Sequence, residues 1–285
     1  MKRILFIFLV LVGLYILMTS NVTSLLTFGK SDSEVKVTNN INLLEVNVSS
    51  AHANIIPEKR NNVKAELNGK GNLSIDKSGD TIIVEYKQSW LKGFQFFNKA
   101  PKLNIYIPED YNRSMDIDIG SGYLTFSGTS KKHPIELEEM TINMSSGKVD
   151  LKNIKTEEFN HEGSSGVIDV DNLNTGSGSI DMSSGIIKIR NYQGKLDAEV
   201  SSGLLDVQMD KLTDSIDLQA SSGQIKLDLP DHADFTLNGK KTSGFIDCEF
   251  PLKNKITEKN KMTGVYGTGK HAVDVSISSG LVKVY

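Results

Sequence analysis

Cysteine occurs once in the 285 residues, at Cys248, which excludes a framework of intrachain disulfides. No sign of charge dominates. Thirty-two Lys and Arg stand against 35 Asp and Glu, a net charge of −3, and nothing in that balance suits nucleic acid. Motifs of the common chemistries are missing too. There is no G-x-S-x-G elbow, and His52, His133, His161, His232 and His271 form no short metal-ligand spacing. Gly176-Ser177-Gly178-Ser179 is not followed by Lys-Ser/Thr, so it is no phosphate loop. The glycine-rich nonapeptide of calcium-binding β-rolls is absent, and no pair of carboxylates stands out from the many acids. The sequence therefore offers no catalytic residue, no metal ligand and no cofactor site.

What is present is a repeated phrase: Ser, then Gly, then an apolar-polar-apolar run. Its glycines are Gly122, Gly147, Gly166, Gly185, Gly203, Gly223, Gly244 and Gly280. Most steps are close to 20 residues, and the last is much longer. A recurring period of this length marks a stacked architecture. Two residues after each Gly comes Leu124, Val149, Ile168, Ile187, Leu205, Ile225, Ile246 or Val282. Four residues after comes another apolar column, which includes Cys248, so that thiol reads as a small buried hydrophobe. The residue between the columns faces water, and from Asp169 to Lys283 it alternates in sign along the chain.

A second alternation precedes the Gly, as in Leu196, Ala198 and Val200. The two alternations are out of phase across the Ser-Gly, so a straight strand cannot turn both inward. A bend there can, and Gly tolerates it. Each unit therefore reads as two short strands joined at a Ser-Gly corner, followed by a polar turn such as Asn191-Tyr192-Gln193-Gly194. The expected fold is all-β: a β-solenoid, parallel β-helix-like, of roughly 20-residue rungs. A twisted antiparallel sandwich of hairpins is the alternative. His161 falls in an inward column and is expected to pair with a buried Glu or Ser. The repeated Ser is expected to satisfy backbone groups at the corners rather than to act as a nucleophile.

The chain divides into four stretches. Residues 1–28 carry Lys2 and Arg3 before long apolar runs, with no Ala-x-Ala site and no Cys placed for lipid. They read as an uncleaved membrane anchor or signal segment, with the bulk of the chain outside the membrane. Residues 29–40 are a polar spacer. Residues 41–111 form an irregular β-rich module suited to capping a stack, and residues 112–285 carry the repeat. Trp90, Lys92, Phe94, Phe96 and Phe97 gather between two predicted strands. They read either as a loop tucked over the module's core or as a patch for a membrane interface or partner. The insertion Lys253–Lys270, with Tyr266 and three glycines, is expected to emerge as a flexible loop and is a second candidate contact site. After Val284 the last rung is expected to leave an edge in need of a cover.

One membrane segment, the strand ending Leu103-Asn104-Ile105-Tyr106-Ile107-Pro108, then Gly120-Ser121-Gly122 and the repeated Ser-Ser-Gly together resemble the LiaG-like adhesin family. The resemblance covers roughly Val37 to Tyr285. It implies a bacterial envelope protein, in some cases encoded beside envelope-stress signalling systems, and supplies no catalytic residues. The first expectation is a non-enzymatic, membrane-anchored interaction or scaffold protein whose partners are the membrane and an envelope protein or cell-wall polymer. The alternatives are a surface adhesin and a glycan-processing enzyme working in a solenoid groove.

Overall fold

The computed structural model describes residues 33–88 and 100–285, and every element among them is a strand. Six strands come first: β1 (Ser33–Lys36), β2 (Leu43–Glu58), β3 (Asn62–Asn68), β4 (Asn72–Ser78), β5 (Thr81–Lys87) and β6 (Lys102–Pro108). β2 bends near Ser50 and pairs with a different strand on each side of the bend. Residues 43–48 run parallel to β5, and residues 52–58 run parallel to β6. β4 then closes β5 in antiparallel fashion, and β3 closes β6, with β1 beyond it.

The repeat follows in β7 (Ser114–Ser127), β8 (Ile135–Met144), β9 (Lys148–Met209), β10 (Ile216–Asp228) and β11 (Phe235–Cys248). β9 is a 62-residue run of strand that winds through several repeats. Repeats pair in parallel and in phase: Gly203 lies beside Gly223, as Leu205 does beside Ile225. The antiparallel sandwich is thereby excluded for the repeat. We call the residues before each Ser-Gly the first arm and those after it the second arm. All eight glycines have φ between 122° and 150°, a region that side chains disfavour. They also pack backbone on backbone, so that a Cβ on Gly203 would run into the carbonyl of Gly185. Both apolar columns are buried, with Ile187, Leu205 and Val207 at most 1% exposed.

The polar turn expected at Asn191–Gly194 is a strand instead. Asn153, Asn172 and Asn191 sit at left-handed φ of 54°, 63° and 54°, a conformation Asn tolerates. Their side chains climb the stack: Asn172 donates to Asn153 Oδ1 at 3.0 Å, and Asn153 donates to the Gly128 carbonyl at 3.2 Å. Beyond this second bend Ile154, Leu173 and Tyr192 turn inward. Thr156 and Thr175 then tie down a third bend, each bonding two backbone carbonyls. His161 does point inward, but neither ring nitrogen has a hydrogen-bond partner, so the expected pairing with Glu or Ser is not made.

The last third departs most from the sequence reading. Lys253–Lys270 is not a loop but a hairpin of β12 (Lys253–Thr257) and β13 (Lys261–Tyr266), and β13 adds antiparallel to the first arm of β11. Asp234 clasps its exit: it accepts from the amides of Thr268, Gly269 and Lys270 and from the Thr268 hydroxyl, all within 3.0 Å. These bonds, the Thr268 hydroxyl first, pull its carboxyl down to about 2. β14 (His271–Val284) then inserts between β10 and β11. The final repeat is therefore internal, and β11 stands at the end of the stack. Lys226 consequently lies beside Lys283, which breaks the charge alternation seen along the sequence.

The expectation of a membrane-spanning helix is corrected, and with it the membrane partner and single-pass localisation. No helix among the described residues is long and apolar enough to cross a membrane. Residues 1–28, on which that expectation falls, lie outside the described residues.

Candidate functional site

The two outward faces of the stack differ in how their charges are matched. On the second arms, several acids find cations. Lys148 pairs with Asp150 at 2.8 Å, Arg190 with Asp169 at 3.1 Å and Lys283 with Glu249 at 2.7 Å. On the first arms they do not. Counting four, six and eight residues back from each Ser-Gly bend gives the outward positions, and Lys195 and Lys240 are the only cations found there. Register stacks acid directly on acid: Glu45 on Asp116, Glu139 on Glu158, and Asp197, Asp217 and Asp274 in a row of three. None of these carboxylates forms an ion pair among the described residues.

Amides and hydroxyls soften the row without neutralising it. Asn143 donates to Asp118 at 2.8 Å, and Asn238 donates to Asp274 at 2.8 Å. Partial burial, then the charges of Glu139, Asp118 and Glu45, raise the Asp116 carboxyl above its ordinary range. Burial and then Asp197 do the same to Asp217, with Asp274 adding to it and Lys240 opposing. Where the first arms meet the bends, Asp118, Asn143, Glu162 and Asp181 line an open groove of about 680 Å³, with Ser145, Ser164 and Ser183 along its side. The arrangement can hold cations or donate-rich partners along its length. It does not converge on a point: no group of three or more His, Cys, Asp or Glu among the described residues could hold a metal ion.

The candidates named from sequence fall elsewhere. Trp90, Lys92, Phe94, Phe96 and Phe97 lie outside the described residues. Tyr266 is packed into an aromatic trio, 4.8 Å from Phe250 and 5.7 Å from Phe235 between ring centroids, and its hydroxyl donates to the Asp231 carbonyl at 3.0 Å. Cys248 is buried, and burial pushes its thiol up, away from the nucleophilic form. The eight corner glycines form the bends themselves, and the glycines that line the groove are Gly120 and Gly163. Sequence reasoning missed the acidic row, because which acids stack on one another depends on where the bends fall.

Parallel repeats bent at Ser-Gly, with antiparallel strands closing the start, join the sequence pattern to a known architecture. The chain belongs to the Toastrack DUF4097 family, which matches residues 41–285. The LiaG-like resemblance read from the sequence agrees with this Toastrack assignment. No curated protein matches the chain. Among solved structures, a candidate adhesin from Parabacteroides distasonis ATCC 8503 is 12% identical, with 90% of this chain and 97% of that one covered and a TM-score of 0.51. That likeness extends to the fold. A candidate adhesin from Bacteroides fragilis NCTC 9343 is 15% identical over 91% of this chain and 98% of that one, at a TM-score of 0.48. A candidate cell adhesion protein from Clostridium sporogenes ATCC 15579 is 16% identical over 90% and 99%, at 0.27.

Proposed function

We propose that this Toastrack chain is a non-enzymatic, adhesin-type binding protein of the bacterial envelope, and that the acidic first-arm face holds a cationic partner on a protein or wall polymer. The observation that carries this is the unpaired stacking of Glu45 on Asp116 and of Asp197, Asp217 and Asp274. Like charges directly opposite each other cost roughly 0.2–1 kcal/mol per pair. Second arms elsewhere in the same stack relieve that cost with Lys and Arg, so the chain is able to do so and does not on this face. The names of the similar structures favour adhesion over the scaffold role expected from sequence. A glycan-processing site would need two carboxylates in different environments across a cleft, whereas these stand side by side on one outward face.

On this reading the stack is a closed three-sided coil over its middle repeats, with Ser-Gly, Asn and Thr at successive bends. Residues 41–111 cap it at the N-terminal end. The test is binding of the purified protein to amine-coated and carboxylate-coated beads at low and high salt. The wild type is expected to hold to the amine surface and to release as salt screens the contact. The triple substitution Asp118→Asn, Glu162→Gln, Asp181→Asn is expected to weaken that binding about tenfold or more. Equal binding by the two proteins, or binding indifferent to salt, would remove the acidic face from the account.

A further inference from the structure

The first-arm and second-arm sheets each have two ends, which makes four edges. Three of them are closed from within the chain by antiparallel strands. β4 closes the first arms at the N-terminal end, β3 with β1 closes the second arms there, and the β12–β13 hairpin closes the first arm of β11. The fourth edge, the second arm of β11, is left open by the described residues. Pairing with β13 stops at Lys240, and the Lys241 amide reaches Asn260. Among the described residues, the strand from Ser243 to Cys248 pairs with β14 alone.

We propose that this open edge accepts an extended segment of a partner polypeptide, added antiparallel as the fourth closing strand. The geometry fixes what such a segment must bring. The Glu249 amide bonds Val284 on the β14 side, so strand alternation turns the N–H and C=O of Ile246 and Cys248 toward the empty side. Unpaired, evenly spaced backbone groups of this kind are satisfied by another extended backbone. The inward side chains are already covered, with Ile246 5% and Cys248 7% exposed, so the partner has no cavity to fill there. The outward ones are not. Phe245 is 72% exposed, with only the Lys241 ammonium over its ring at 5.4 Å, and Asp247 beside it is exposed. An apolar residue against Phe245 and a lysine against Asp247 complete the match. This surface is separate from the acidic first-arm face, and the proposal stands or falls without it.

The test uses the full chain and a synthetic heptapeptide, Thr-Lys-Thr-Val-Thr-Lys-Thr, whose Val and Lys fall two residues apart on one face, with hydrogen exchange read by NMR at single amides. The peptide is expected to slow exchange at Ile246 and Cys248 at least tenfold, saturably, and to leave the β2 amides unchanged. Its counterpart with alternate backbone nitrogens methylated is expected to protect neither amide, and Asp247→Lys is expected to weaken the unmodified peptide several-fold. The proposal is overturned if the methylated peptide protects equally, because adsorption by side chains would then suffice. It is also overturned if Ile246 and Cys248 are already slow in the free protein. Slowness at every dilution would mean that the chain covers its own edge, and slowness that grows with protein concentration would make the occupant a second copy.

Discussion

A single backbone position shows what the repeat demands. Gly203 combines φ of 141° with the carbonyl of Gly185 where a Cβ would go. Either feature alone disfavours a side chain, and together they leave no direction in which to relax, because Gly223 stacks on the other side. Gly203→Ala is expected to cost roughly 3 kcal/mol, from backbone strain plus overpacking, read as a lower urea midpoint. His161 is the complementary case, a polar residue in an apolar column. Burial drives its imidazole down to about 4, with the Ile142 backbone opposing only in part. The unfolded chain takes up the proton first as pH falls, since an unperturbed imidazole titrates near 6.5. The stability is therefore whole above pH 6.5 and is lost progressively towards pH 4, by about 3 kcal/mol. His161→Met, which leaves no ring nitrogen unpaired, is expected to flatten denaturation midpoints across that range without lowering the value at pH 7. A midpoint that still falls steeply in the variant would place the acid sensitivity elsewhere.

Strands carry the next level of argument, because each arm presents one face inward and one outward. On the first arms of β9, β10 and β14, Asp197, Asp217 and Asp274 repel along a row, and salt shortens the reach of that repulsion. Replacing all three by Asn is expected to raise stability by about 1 kcal/mol at low salt and to abolish most of the gain that added salt gives the wild type, as thermal melts at two ionic strengths would show. The inward faces were legible in the sequence for the same reason that the outward ones matter: period-two alternation is local, and Leu205 beside Ile225 follows from counting after each Gly. Three features were not legible. Asn153, Asn172 and Asn191 recur as regularly as the glycines, yet Asn suits loops and bends alike, so the third side was read as a turn. The hairpin of β12 and β13 hides in Lys-rich sequence, because an edge strand keeps its charges outward and buries little; β12 is exposed throughout. The acidic face is a property of register, which depends on where the bends fall rather than on any one segment.

From β7 onward, chain order and spatial order part company only at the end of the molecule, and there the stack ceases to be a simple succession. Each repeat touches its neighbours alone, so stability in the middle is a sum of local interfaces. β14 is different: it supplies both the second partner of β10 and the only repeat partner of β11. Removing residues 271–285 therefore does not trim a terminus. It withdraws Val273, Val275, Ile277, Val282 and Val284, all at most 1% exposed, from between two strands whose own apolar columns depend on them. Each such side chain contributes about 1.5–3 kcal/mol of burial. β11 and its hairpin are expected to detach as a unit in the shortened protein, because their remaining contacts are with one another. The repeats from β2 through β9 keep their own neighbours and are expected to remain folded. Limited proteolysis of the shortened chain should then cut within residues 229–270 and leave a resistant core ending near Asp228, because β10 keeps its pairing with β9. Uniform digestion would show that the stack unfolds as one cooperative body, and resistance across residues 229–270 would show that β11 can dock directly on β10.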